Sequence, residues 1–353
     1  MNEREIYRII DANANRAREG LRVVEEVTRF VLDEPQFTAR LKDVRHHIAE
    51  ALKGFPAVKL LSARNSREDV GRELYQREEM EREGCREIIR ANMVRGQEAL
   101  RALEEFSKLV DSGAGKIFKN LRFRLYSLEK EIGRSLAIKD KEQDIRKWNL
   151  YVMLDRELIG ARDPLEISRA VAAAGVRVIQ WRDKEGSSRE IFKVVYQLMQ
   201  CNTLKDIDVI INDKVDITLA TEADGVHLGQ DDLPLAEARN LLGEKIIGIS
   251  THGLEEAVRA EKEGADYVAL GPIFPTQTKK DAGSPLGVKK IREVRQAIRI
   301  PLVAVGGINE TNIGEVAAAG ADAVAVSSAV LKAKDITVAT KRLLMKLTTK
   351  ARN

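Results

Sequence analysis

Two cysteines in 353 residues, Cys85 and Cys201, are too few and too far apart to staple a fold or form a redox or metal spacing. That scarcity points to a reducing compartment. The N-terminus, MNEREIYRII, carries charges where a secretory segment needs an apolar core. No apolar run is long enough to span a bilayer, so the expected location is the cytoplasm, with no membrane partner. An excess of one charge is also missing. Fifty-nine basic and 55 acidic residues leave a formal net charge of +4, which gives no electrostatic footprint for nucleic acid. His46-His47 and the single histidines make no convincing metal set, and no Ser–His–acid arrangement stands out. What remains, 44% apolar and 32% charged residues, is a soluble globular chain long enough for two domains.

Residues 1–138 read as an all-α helical bundle. Tyr7, Ile10, Ala14, Ala17, Leu21 and Val24 recur at helical spacing, and further helical patterns cover about 36–53, 81–109 and 115–136. Residues 62–71 lack periodicity and read as a polar loop. No glycine-rich nucleotide loop is present in this region. It does hold a near-repeat: Asn13, Arg16, Glu19, Leu21, Arg22, Glu25 and Glu26 recur 79 positions later as Asn92, Arg95, Glu98, Leu100, Arg101, Glu104 and Glu105. One explanation is a pair of similar helices tied by Arg–Glu ion pairs at three- and four-residue spacing. The other is a polar site where Asn13, Arg16, Asn92 and Arg95 meet a phosphorylated ligand.

The charged run 139–147 reads as a linker. From 148 to 353 the pattern changes to strands near 149–154, 176–182, 208–211, 225–228, 246–249, 267–270, 302–305 and 323–326, each followed by a helical segment. Eight such units in about 200 residues imply an α/β fold closed as a (β/α)8 TIM barrel.

In such a barrel, functional groups sit at the C-terminal ends of strands. In VRVIQWRDK at 176–184, strand phase puts Val178, Gln180 and Arg182 on one face with Lys184 following, while Ile179 and Trp181 point toward the helices. A cationic row of that kind suits diphosphate; a strand end with solvated charges is the other reading. Asp213 and Asp232 follow neighbouring strands and can share one Mg2+, a hard ion that takes oxygen ligands; each could instead cap a helix. Gly306-Gly307 and Ser327-Ser328 end strands seven and eight, the usual phosphate corner. The long loop 272–285 holds Thr276, Thr278, Lys279 and Lys280 and reads as a lid. His227, opposite in phase to Val226 and Leu228, has packing as its plain reading.

These rim motifs taken together resemble the thiamine phosphate synthase family: QWRDK at 180–184, ND at 212–213, HLGQDD at 227–232, GIS at 248–250, GPIFPTQTKKD at 271–281, GG at 306–307 and SS at 327–328. The resemblance covers roughly 148–350. It departs from the family's usual pattern at Trp181 and Asp183, which flank the functional row. It implies a transferase that joins an aminopyrimidine diphosphate to a thiazole phosphate. Gln180, Arg182, Lys184, Asn212, Ser250 and Lys279 would then bind the pyrimidine diphosphate, with Arg182, Lys184 and Lys279 acting in catalysis. Asp213 and Asp232 would hold Mg2+, and Thr276, Thr278, Gly307, Ser327 and Ser328 would position the thiazole phosphate. A thiazole tautomerase-like protein and a non-enzymatic precursor sensor are the competing readings. The N-terminal region resembles a helical domain found before the synthase in some bacterial proteins, which implies pyrimidine handling or phosphorylation, or else dimerisation. Oligomeric state stays open.

Overall fold

A computed structural model describes residues 1–65, 82, 84–276 and 283–348. The chain divides into two compact units, Met1–Lys139 and Asp140–Asn353.

The first unit contains α1 (Glu3–Phe30), α2 (Pro35–Leu52), α3 (Ala57–Ala63) and α4 (Cys85–Ser107), and most of α5 (Ser112–Arg146). A capping box at Asn2 and Glu5 starts α1, each side chain meeting the other's backbone N–H. Tyr7, Ile10, Ala14, Ala17, Leu21 and Val24 are all buried, as their spacing requires. α1 and α4 approach closely through small residues: a Cβ on Gly20 would lie 3.0 Å from the Asn92 carbonyl oxygen.

The near-repeat is structural in its second half. Glu25, almost fully buried, pairs with Arg22 at 2.8 Å and Arg45 at 2.9 Å. Its counterpart Glu104 pairs with Arg101 and Arg122, each at 2.8 Å. Burial pushes the Glu104 carboxyl up, but the two guanidiniums outweigh it and hold it below the usual range. The parallel extends to the packing helices. Leu41, Val44, Ile48 and Ala51 of α2 and Phe118, Leu121, Leu125 and Leu128 of α5 are buried at a constant offset.

Two expectations need correction. The loop placed at 62–71 begins later, because α3 runs to Ala63; the rest of that stretch beyond 65 lies outside the described residues. The linker placed at 139–147 is largely the end of α5. Two of its charges are engaged, Lys141 with Asp266 at 3.0 Å and Arg146 with Asp322, and Ile145 is buried, while Asp144 and Lys147 stay exposed.

In the second unit, eight parallel strands close in sequence order. They are β1 (Asn149–Asp155), β2 (Val178–Arg182), β3 (Asp208–Asn212), β4 (Gly225–Leu228), β5 (Ile246–Thr251), β6 (Tyr267–Leu270), β7 (Leu302–Val305) and β8 (Ala323–Val326). The helices between and after them are α6 (Arg156–Ile159), α7 (Pro164–Ala173), α8 (Ser188–Met199), α9 (Val215–Ala220), α10 (Leu235–Leu242), α11 (Leu254–Glu263), α12 (Val288–Ala297), α13 (Ile313–Ala318), α14 (Ser328–Leu331) and α15 (Ile336–Thr348). Strand phase separates two cores. Ile179, Trp181, Val226, Leu228, Val268 and Leu270 join the helices, whereas Tyr151, Val178, Ile210, Tyr267, Val303 and Ala325 fill the barrel. Register carries the interior set upward, aligning Tyr151 with Val178, Asn212 with His227, and Gly248 with Tyr267. Among the described residues, no helix is long and apolar enough to cross a membrane.

Candidate active site

One cleft at the C-terminal strand ends gathers the residues read from the motifs. From β2 come Gln180, Arg182 and, just beyond, Lys184; the β3 end supplies Asn212 and Asp213. Asp232 follows β4 and Ser250 lies in β5. Thr276, Gly307, Ser327 and Ser328 complete the opposite rim. Thr278 and Lys279 lie outside the described residues.

The cations are braced by acids. Arg182 Nη1 donates to Asp155 Oδ2 at 2.5 Å, and Lys184 Nζ donates to Asp213 Oδ2. Asp155, at the end of β1, is 2% exposed and also accepts from the N–H of Glu157 at 3.1 Å, which starts α6. Asp155 ends strand one, so the rule that functional groups sit at strand ends reaches it as well.

Neither Asp213 nor Asp232 is a helix cap. The caps of α9 and α10 are Lys214 and Pro234, and neither uses a side-chain bond. Asp213 instead adopts φ +62°, a left-handed conformation that Asp tolerates better than most residues. Its N–H donates to the His227 carbonyl at 2.9 Å, which anchors the turn. Asp232 Oδ2 accepts from the Gly229 N–H at 2.6 Å. Burial, and then the neighbouring Asp213, push the Asp232 carboxyl up. A carboxyl whose charge is disfavoured by burial and a neighbouring acid is a setting a cation relieves. No group of three or more His, Cys, Asp or Glu side chains that could hold a metal occurs among the described residues. A two-carboxylate set fits Mg2+, which keeps water and phosphate oxygens for its other positions.

Asn212 Nδ2 is buried and has no hydrogen-bond partner among the described residues. A buried amide donor of that kind is costly unless a ligand accepts from it. Across the cleft, Gly306 and Gly307 have φ of +98° and +66°. A Cβ on Gly307 would lie 2.5 Å from the Pro275 carbonyl oxygen, so the loop after β6 and the β7 turn meet only through glycine. The Ser327 hydroxyl donates to the Met153 carbonyl at 2.9 Å, joining β8 to β1.

His227 is more than packing. Its Nε2 lies 2.9 Å from Ser250 Oγ and its Nδ1 2.9 Å from Tyr267 Oη, and Tyr267 in turn lies 3.1 Å from Tyr151 Oη. Tyr151 and Tyr267 were missed because apolar strand phase marks them simply as core. In the helical unit, Asn13 and Arg16 lie on α1 and Asn92 and Arg95 on α4. The amides of Asn13 and Asn92 donate within their own helices, to Ile9 and Ile88 carbonyls, each at 2.9 Å.

Residues 150–330 match the family model described as thiamine monophosphate synthase, and residues 8–131 match the ThiD2 family. A thiamine-phosphate synthase of Prochlorococcus marinus is 40% identical over 94% of this chain and 92% of its own length. One from Synechocystis is 39% identical over 97% and 96%. Among solved structures, the thiamine phosphate pyrophosphorylase of Pyrococcus furiosus is 38% identical, with a TM-score of 0.54, covering 58% of this chain and 98% of that one.

Proposed function

The chain belongs to the thiamine phosphate synthase family, and from that premise we propose how its barrel mouth does the chemistry. The substrates are 4-amino-2-methyl-5-hydroxymethylpyrimidine diphosphate and a 4-methyl-5-hydroxyethylthiazole phosphate, carboxylated or not. The products are thiamine phosphate and diphosphate.

The observation that carries this placement is the pairing of Arg182 with Asp155 and Lys184 with Asp213, beside Asp232, on one rim. Each cation has a fixed position, and diphosphate is an anion that could draw on both. Asp213 and Asp232 would hold Mg2+, which when bound neutralises charge on the diphosphate oxygens. Arg182, Lys184 and Lys279 stabilise the same oxygens as the C–O bond breaks and their charge grows. The electron-rich aminopyrimidine, held by Gln180, Asn212 and Ser250, stabilises the carbocation left behind. Thr276, Thr278, Gly307, Ser327 and Ser328 hold the thiazole phosphate so that the ring nitrogen captures that cation. No protein nucleophile is required.

The full complement of diphosphate and metal residues favours this reading over a thiazole tautomerase, which needs only the thiazole phosphate corner. Purified chain incubated with both heterocycles tests it. Thiamine phosphate and diphosphate released in equal amounts support it, and a folded protein that forms neither refutes it.

The helical unit is proposed to handle the pyrimidine precursor ahead of the barrel. Relatives that cover nearly the whole chain carry both units together, which puts the helical unit beside the synthase barrel in one polypeptide. Assay of the full chain with the pyrimidine monophosphate and ATP tests phosphorylation, and absence of product counts against a kinase.

A further inference from the structure

A buried row of hydrogen bonds crosses the barrel floor. Gln180 Nε2 donates to Tyr151 Oη at 2.7 Å, and from Tyr151 the row continues to Tyr267 at 3.1 Å. Tyr267 reaches His227 Nδ1 at 2.9 Å, and His227 Nε2 reaches Ser250 Oγ at 2.9 Å. Gln180 and Ser250, the two ends, line the cleft, while Tyr267 is 0% exposed. Strand β5 gives up a side chain to seat that phenol, since a Cβ on Gly248 would lie 2.0 Å from Tyr267 Cζ.

The protons in this row can be counted. Burial pushes both phenols above their ordinary value, so each keeps one proton. Tyr151 accepts from Gln180; either phenol can donate in the bond between the two tyrosines, and Tyr151 is taken as that donor. Tyr267 must then donate to His227 Nδ1. With His227 taken as neutral, its one N–H then sits on Nε2 and donates to Ser250 Oγ. The Ser250 proton is left for the cleft, and the Gln180 amide keeps its carbonyl oxygen.

We propose that this row is a polarity relay: it makes Gln180 an acceptor and Ser250 a donor toward the pyrimidine, with Tyr151, Tyr267 and His227 as positioning residues. The inference rests on the placement of the pyrimidine against Gln180 and Ser250 given above. A 4-aminopyrimidine edge presents an amino donor beside a ring-nitrogen acceptor, the complement of that pair. The 4-oxo analogue presents an acceptor beside a ring N–H and fits only if every bond in the row reverses. Discrimination between the two is therefore stored in the floor: Tyr267 lies outside the cleft lining, and the polar atoms of Tyr151 and His227 that the row uses bond to other members of the row. A site built around such a pattern rejects the mismatched partner by leaving buried groups unpaired.

Nitrogen-15 histidine spectra of the full chain give the first test. The relay requires the Nε2–H tautomer at His227, and an Nδ1–H tautomer overturns it. The second test compares Tyr267→Phe and Tyr151→Phe with wild type. The expected result is a rise of about 10-fold or more in KM for the aminopyrimidine diphosphate, an unchanged KM for the thiazole phosphate, and weaker rejection of the 4-oxo diphosphate. Either variant, folded by near-ultraviolet circular dichroism and with wild-type discrimination, overturns the relay. Ser250→Ala separates the two layers of the argument. If it leaves the pyrimidine KM unchanged, the pyrimidine lies elsewhere, and the placement falls together with the relay's role. If it raises that KM while His227 has the wrong tautomer, the relay alone falls.

Discussion

Lys184 Nζ donates to Asp213 Oδ2, so a cation assigned to the diphosphate and a carboxylate assigned to its metal are ion-paired with each other. Lys184 is about half exposed, so the pair by itself adds little stability. On the proposed placement, it holds the ammonium where leaving-group charge develops. Lys184→Ala is expected to lower turnover about 10²-fold, the usual loss for one preorganised charge donor, with no change in KM for the thiazole phosphate. Steady-state kinetics with both substrates varied reads the split.

Asp155 braces Arg182 and starts α6 with the same carboxylate. Asparagine keeps the cap but loses the charge. Asp155→Asn is therefore expected to fold normally and to raise KM for the pyrimidine diphosphate about 10-fold, as a freed guanidinium loses its orientation. Asp155→Ala is expected to add about 1 kcal/mol of destabilisation from the lost cap. Denaturant melts alongside kinetics distinguish the two effects.

Gly248 has no room for a methyl group, because the rigid Tyr267 ring occupies its place. Gly253, on the same rim, has nothing within 4 Å of the equivalent position and an extended backbone. Gly248→Ala should cost about 1–3 kcal/mol as an overpacked interior, and Gly253→Ala should be near neutral. Thermal melts of the pair provide the comparison.

Asp208 opens β3 at the N-terminal end of the barrel and accepts from the Trp148 indole N–H at 2.6 Å. Burial pushes its carboxyl up to about 6. A raised carboxyl means that the folded chain binds a proton the unfolded chain has released between about pH 4 and pH 6. This group's contribution is thus most favourable below that window and is lost as pH rises through it, by on the order of 2 kcal/mol. Asp208→Asn removes the dependence. The stability of wild type relative to the variant is expected to fall from pH 4 to pH 7, and a constant difference contradicts the assignment.

Much of the barrel was legible because its strands are short and their phase is clean. Four strands, 225–228, 267–270, 302–305 and 323–326, have the bounds read from apolar runs alone. The cleft followed from one rule, that chemistry sits at strand ends. What escaped notice has a physical reason in each case. Tyr151, Tyr267 and His227 sit at core positions, and only the fold shows that their polar atoms touch in a row. The end of α5 was hidden by its charges, whose partners Asp266 and Asp322 are more than a hundred residues away. The near-repeat was visible as identities. Its split, with Arg–Glu pairs on one side and asparagines turned to their own helices on the other, depends on side-chain geometry that spacing does not encode.

The central claim is that the barrel mouth binds diphosphate through a cationic row and a metal held by two aspartates. Calorimetric titration of the pyrimidine diphosphate into the full chain, with and without Mg2+, addresses it directly, using wild type and the Asp213→Asn/Asp232→Asn double variant. The account predicts that Mg2+ tightens binding to wild type by about 10²-fold or more and leaves the double variant unaffected. Equal tightening in both proteins would contradict it.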